Sequence, residues 1–158
     1  MGGMSVKYEL WLVATAVAIS TLLLICAHAS ASSLDDSPTA LAALQAKADQ
    51  AQPRDRCFLY AELVSQMTDL AGRQVNSGDS ERASATLKLV QQYAEKIHTG
   101  VADDSKKLKN AEVLMERTSF RLKDILSAAS YEDRQALEVT LMQLDQVQAQ
   151  LMLQVFKQ

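Results

Sequence analysis

Two side chains downstream of residue 31 have the types needed for nucleophilic chemistry: one cysteine, Cys57, and one histidine, His98. A thiol beside an imidazole can be activated as a thiolate nucleophile. If the chain folds into a helical hairpin about Gly78, residue 57 lies opposite residue 99, which brings both side chains to the same end. Cys57 belongs to an apolar stripe, however, and His98 lies beside its own stripe. The sequence therefore predicts a buried thiol and an exposed imidazole rather than a catalytic pair.

Other catalytic and ligand-binding patterns are missing from the sequence. A His-rich zinc site and a Cys₂His₂ site each need several imidazole or thiolate ligands, and haem attachment needs CxxCH, which one cysteine and one histidine cannot supply. Glu112 and Glu116 lie one turn apart, but Lys109 and Arg117 lie among them, as on a solvated helix face. There is no GxSxG turn and no glycine-rich phosphate loop. We predict no catalytic residue, no metal ligand, no cofactor and no enzyme activity.

The N-terminal segment has the composition of an export signal. No charged residue lies between Glu9 and Asp35, and an apolar run extends over residues 10–27. Small residues, Ala-Ser-Ala, follow at positions 29–31 with the spacing that a signal peptidase accepts. We therefore predict that residues 1–31 are a signal peptide.

A run of this length is also long enough to span a bilayer as an uncleaved anchor. In both cases Lys7, ahead of the run, keeps the N-terminus inside and sends the rest of the chain across the membrane. We predict a periplasmic or extracellular protein; the alternative is inner-membrane anchoring through residues 10–27, with the helical domain outside the cytoplasm. In either compartment Cys57 can form an intermolecular disulfide, which is a second interpretation of this residue.

Length and charge limit the remaining possibilities. The chain has 158 residues and a formal net charge of −3, and this length fits a single domain. Because nucleic-acid binding requires clustered positive charge, we predict no nucleic-acid partner. After the leader, few prolines and glycines and many Ala, Leu, Gln, Glu and Lys favour long helices. We assign residues 32–37 to a spacer and residues 38–158 to one helical-bundle domain.

Five stretches carry apolar residues at steps of three and four, the spacing of amphipathic helices. They cover about residues 38–52, 54–75, 80–99, 103–129 and 130–156. No stretch shows the sustained alternation of a strand.

Residues at the ends of these stretches support the same boundaries. Gly78 fits the left-handed position that ends a helix, and Asp79 or the next residue can cap the following one. Residues 103–105, Asp-Asp-Ser, place negative charge at the start of the fourth helix. Ser130, with Asp133 three residues later, resembles a capping box at the start of the last helix.

Short connections and helix lengths that match in pairs predict two hairpins. The predicted fold class is all-α: an antiparallel helical bundle of two long hairpins plus a short N-terminal helix, preceded by a signal peptide or signal anchor. The alternative is a solenoid-like stack, because residues 60–93 resemble a tetratricopeptide repeat at Ala61, at Gly78 with Asp79, and at Ala83.

The last helix carries features of an association surface. It is rich in glutamine, and Leu151, Leu153 and Phe156 widen its apolar coverage near the C-terminus. These residues either complete the intramolecular core or dock a protein partner or a second copy. We take Leu151, Leu153 and Phe156 as the candidate partner surface.

These observations favour an exported, non-enzymatic helical interaction or scaffold protein of the bacterial cell envelope. The alternative is a periplasmic helical chaperone or stress-sensor-like protein, because the general pattern resembles small periplasmic stress chaperones. The LTxxQ motif of those proteins has its nearest counterpart in residues 130–135, which lack the Leu-Thr start. No family follows from the sequence.

Cleavage of the leader can be tested by fluorescence, because Trp11 is the only tryptophan in the chain. Removal of residues 1–31 leaves a protein whose aromatic emission comes from tyrosine alone. We expect the form purified from the cell envelope to show no tryptophan band. A tryptophan band would contradict cleavage and favour the anchor.

Overall fold

The computed structural model describes residues 38–101 and 107–157, and these residues form helices with no strand among them. The prediction of an all-α protein is confirmed over these ranges. The helices are α1 (Pro38–Gln50), α2 (Pro53–Asn76), α3 (Ser80–Gly100), α4 (Leu108–Ala128) and α5 (Tyr131–Val155).

The predicted leader, residues 1–31, and the spacer, residues 32–37, lie outside the described residues. Within the described ranges, none of the helices is both long enough and apolar enough to cross a membrane. The five helices all fall within one compact unit of the chain, Asp36–Gln158.

The four long helices contact one another in a ring. α2 packs on α3 and on α4, while α5 packs on α3 and on α4. The shorter α1 packs on α2. Each of the four long helices therefore packs on two others of the ring and turns one apolar face toward a shared core.

Large apolar side chains from all four long helices fill this core. Burying one such side chain stabilises the fold by about 1.5–3 kcal/mol. Those that are fully buried include Leu63, Leu87, Ile97, Met115, Leu122, Leu137, Leu144 and Leu151.

The turn between α2 and α3 and the start of α5 follow the sequence prediction. Gly78 has a φ of 75°, a left-handed conformation that glycine adopts without steric cost. Asp79 caps α3, because its carboxylate accepts a hydrogen bond from the backbone N–H of Arg82 at 3.2 Å. Ser130 Oγ accepts from the backbone N–H of Asp133 at 3.4 Å and donates to Asp133 Oδ2 at 2.7 Å. Both predicted caps are confirmed.

The start of α4 differs from the prediction. The helix begins at Leu108, after Lys107, which has a φ of 57° and makes no side-chain capping hydrogen bond. Because an α-helix needs a φ of about −63°, the left-handed Lys107 lies outside the helix, which begins at the next residue. Residues 103–105 lie outside the described ranges. The predicted start was wrong, and α4, with 21 residues, does not match the 25 residues of α5.

Candidate interaction surface

α5 carries apolar residues on two opposite faces. Its inward face includes Leu137, Leu144 and Leu151, which follow at seven-residue steps and have no exposed surface. Thr140 and Val147 widen this face and are also buried. These residues form the part of the core that α5 contributes.

The opposite face of α5 is exposed. Val139 is 45% exposed, Met142 and Leu153 are each 60% exposed, and Phe156, directly after the helix, is 82% exposed. Gln146 and Ala149, which are also exposed, lie between Met142 and Leu153 at the same spacing. We call the whole set the outward row; it consists of Val139, Met142, Gln146, Ala149, Leu153 and Phe156.

Glutamines of α5 fix which of its faces points outward. Gln143 Nε2 donates to the backbone carbonyl of Gln91 on α3 at 3.0 Å. Gln150 Nε2 donates to the carbonyl of His98, also on α3, at 3.0 Å. Because rotation of α5 about its axis would break both hydrogen bonds, these side chains help to keep the outward row in solvent.

The predicted partner surface divides between the two faces. Leu153 and Phe156 belong to the outward row, so their side chains do not complete the core. Leu151 is fully buried, because α5 makes 100° per residue and position 151 falls on the core side with Leu144. Leu151 is therefore corrected from a surface residue to a core residue. Val139 and Met142 belong to the row and were missed.

The structure buries the cysteine and exposes the histidine, as the sequence predicted. Cys57 is buried in the core, and this burial raises the pKa of its thiol to about 11. His98 is exposed, and no hydrogen bond joins the two side chains within the described ranges. A thiol with this pKa is almost entirely protonated at neutral pH, and it must first be uncovered before it can form an intermolecular disulfide.

A polar and aromatic cluster joins α1 to the long helices. The hydroxyl of Tyr60 on α2 donates to Asp49 Oδ1 on α1 at 2.7 Å. Lys96 Nζ on α3 donates to the same oxygen at 3.1 Å. Tyr60 stacks on Tyr93 with ring centroids 5.8 Å apart, and the Lys96 ammonium lies 5.1 and 5.0 Å from the two centroids. This cluster links three helices and holds α1 against the other two. We call its four residues, Asp49, Tyr60, Tyr93 and Lys96, the clamp.

The hydrogen bonds and burial of the clamp shift the pKa values of its ionisable side chains. The hydrogen bond from Tyr60, followed by that from Lys96, lowers the pKa of Asp49. Burial, followed by the Asp49 hydrogen bond, raises the pKa of Tyr60, and burial raises that of Tyr93. The hydrogen bond to Asp49 raises the pKa of Lys96. The clamp therefore loses stability as pH falls through the lowered pKa of Asp49, and again as pH rises through the raised values.

The clamp was not predicted from the sequence, although one signal pointed to it. Tyr60 belongs to the apolar stripe of α2, and a buried tyrosine needs a hydrogen-bond partner for its hydroxyl. The partner comes from α1, whose packing direction cannot be read from its own pattern.

The described residues contain no group of three or more His, Cys, Asp or Glu side chains placed to hold a metal ion. Comparison with models of known protein families, with curated proteins and with solved structures finds no match for this chain.

We expect Asp49→Asn to weaken the clamp, because the neutral amide oxygen can still accept hydrogen bonds but cannot form the ion pair with Lys96. At pH 7 the free energy of unfolding should fall by about 0.5–1 kcal/mol, since the pair is partly solvated. The difference in unfolding free energy between the variant and the unsubstituted protein should shrink as pH falls below the ordinary carboxyl pKa. It should vanish once pH is below the lowered pKa of Asp49. Urea unfolding at several pH values measures both effects.

Asp124→Asn is the matched control. Asp124 is exposed on α4, and its carboxylate has no hydrogen bond or ion pair within the described ranges, so its loss should change stability little at any pH. An Asp49→Asn effect that persists unchanged at pH 2 would contradict the electrostatic role of the clamp.

Proposed function

We propose that this chain is an exported, non-enzymatic helical interaction or scaffold protein of the bacterial cell envelope. The outward row of α5 is its contact surface for another protein. The observation that carries the proposal is the exposure of Val139, Met142, Leu153 and Phe156 along one face of a helix whose other face is fully buried.

The exposed apolar residues of α5 lie in a line along one face of the helix. Single exposed hydrophobic residues are common on soluble proteins, whereas several that line up on one helix face, here with Gln146 among them, support a site of interaction. The outward row runs from residue 139 to residue 156, which is about 26 Å of helix. Met152, 41% exposed, lies beside it. A row of this length has the dimensions of a helix-in-groove or helix-on-helix contact.

The proposed location rests on the composition of the N-terminus. An uncharged run over residues 10–27, followed by small residues, supports export of the helical domain. The domain, residues 38–158, would then lie in the periplasm or outside the cell, or on the outer side of the inner membrane if the run is retained as an anchor.

For the fold we propose an antiparallel bundle of two hairpins, α2 with α3 and α4 with α5, and α1 on its side. Short connections at residues 77–79 and 129–130 support this arrangement, because helices joined so closely and packed together run in opposite directions. Contacts of α2 with α4 and of α3 with α5 support the pairing of the hairpins.

A periplasmic chaperone or stress sensor is the second candidate. Two methionines are exposed, Met142 in the outward row and Met152 beside it, and methionine adapts its shape to varied apolar partners. A chaperone would slow the aggregation of an unrelated unfolding protein, whereas a dedicated interaction protein would not.

Site-specific photocrosslinking in cells tests the proposal. A photoreactive residue replaces Met142 or Leu153 in one pair of variants, and Glu116, which is exposed on α4, in the control. We expect crosslinked adducts in the envelope fraction from the two α5 positions and few or none from position 116. Location of the protein in the cytoplasm, or equal crosslinking from all three positions, would contradict the proposal.

A further inference from the structure

We infer that the outward row of α5 pairs with the same row of a second copy of this chain, as a parallel two-stranded coiled coil. This inference rests on the proposed function and names the partner. It is carried by the spacing of the row, by Gln146 at its centre and by the exposed apolar area of the row.

The spacing of the outward row matches a coiled-coil seam. Its positions alternate between steps of three and four from residue 139 to residue 156, which gives the seven-residue period of the a and d positions. Val139, Gln146 and Leu153 take the a positions. The d positions are those of Met142, Ala149 and Phe156.

The surface of the row is slightly concave where a partner side chain would insert. A shallow depression of about 550 Å³ lies along α5, and Met142, Asp145, Gln146 and Ala149 are among the residues that line it. These four residues follow at steps of three, one and three, which is the set that surrounds an inserted side chain in a coiled coil. In a parallel pair the side chain that enters this depression is the second copy's Gln146.

Gln146 selects the parallel direction. Across the axis of a parallel pair its amide meets the amide of the second copy, and each group can donate to and accept from the other. In an antiparallel pair with the same seam, Gln146 faces Ala149 and buries its amide without a partner. A single polar a position is known to fix register and direction in this way.

The residues that flank the seam are compatible with the parallel direction. Glu138 and Asp145 lie on one side of the seam, with Gln143 and Gln150 on the other. Asp145 is paired with Lys123 Nζ of its own chain at 3.4 Å, and the two amides donate to carbonyls of α3. In a parallel pair the two carboxylates of one copy therefore face neutral residues of the other, and no like charges meet.

The area is sufficient for a weak, specific dimer. The large apolar residues on and beside the row, Val139, Met142, Met152, Leu153 and Phe156, are between 41% and 82% exposed. With side chains of roughly 150–200 Å² each, they can remove roughly 500 Å² per copy from water. Both copies together then reach the lower limit for a specific interface, about 1,000 Å². We expect a dissociation constant on the order of micromolar.

Cysteine crosslinking tests the pairing on the full chain purified from the envelope fraction, in a Cys26→Ser background. Gln146→Cys places two thiols across the axis of a parallel pair and should give a disulfide-linked dimer under mild oxidation. Glu116→Cys, on the exposed face of α4, is the control and should give little. Buried Cys57 is left unchanged.

Sedimentation velocity over a range of concentrations gives the second readout. We expect the unsubstituted protein to shift from monomer to dimer, and the double variant Met142→Glu with Leu153→Glu to remain monomeric with an unchanged circular dichroism spectrum. Gln92→Glu on the exposed face of α3 should dimerise normally. A monomer at all concentrations, or a dimer that resists the double variant, would overturn the inference.

The two proposals can fail separately. If the protein is monomeric and Gln146→Cys does not crosslink, while Leu153 still crosslinks to a different envelope protein, the homodimer is wrong and the interaction function stands. If the row gives neither a dimer nor an adduct, both are wrong.

Discussion

The structure depends on one constraint: a helix packed on one side of a bundle can bury only one of its faces. α5 has apolar residues on two faces, and the core receives the face that contains Leu137, Leu144 and Leu151. The opposite face keeps Met142 and Leu153 in solvent. The exposed row is therefore a direct result of how the helix packs, and exposed apolar residues aligned along a helix need a partner to leave water.

Polar side chains help to set the rotation of α5 about its axis and the position of α1 on the long helices. Hydrogen bonds from Gln143 and Gln150 to backbone carbonyls of α3 oppose rotation of α5. Asp49 receives hydrogen bonds from both Tyr60 and Lys96 and so holds α1 to two long helices. Each of these contacts is worth little alone, but together they specify one arrangement of similar amphipathic helices.

The sequence predicted the helices well, because amphipathic spacing and capping residues act locally. Gly78 and Ser130 mark real ends, and the buried state of Cys57 followed from its stripe. The start of α4 was mispredicted, since the left-handed conformation of Lys107 has no sequence signal in a lysine. The candidate surface was found only in part. Near its C-terminus α5 carries apolar residues on more than one face, so assigning Leu151 to the core and Leu153 to solvent required the positions of α3 and α4.

The central claim is that α5 turns one apolar face to the core and the other to solvent. Leu151 and Leu153 are two residues apart in the same helix and have 0% and 60% exposure, so Leu151→Ala and Leu153→Ala form a matched pair. Urea unfolding of the two variants tests the claim most directly. Leu151→Ala should lower the free energy of unfolding by about 2–5 kcal/mol, and Leu153→Ala by about 0.5 kcal/mol or less. Equal losses, or a larger loss for Leu153→Ala, would contradict it.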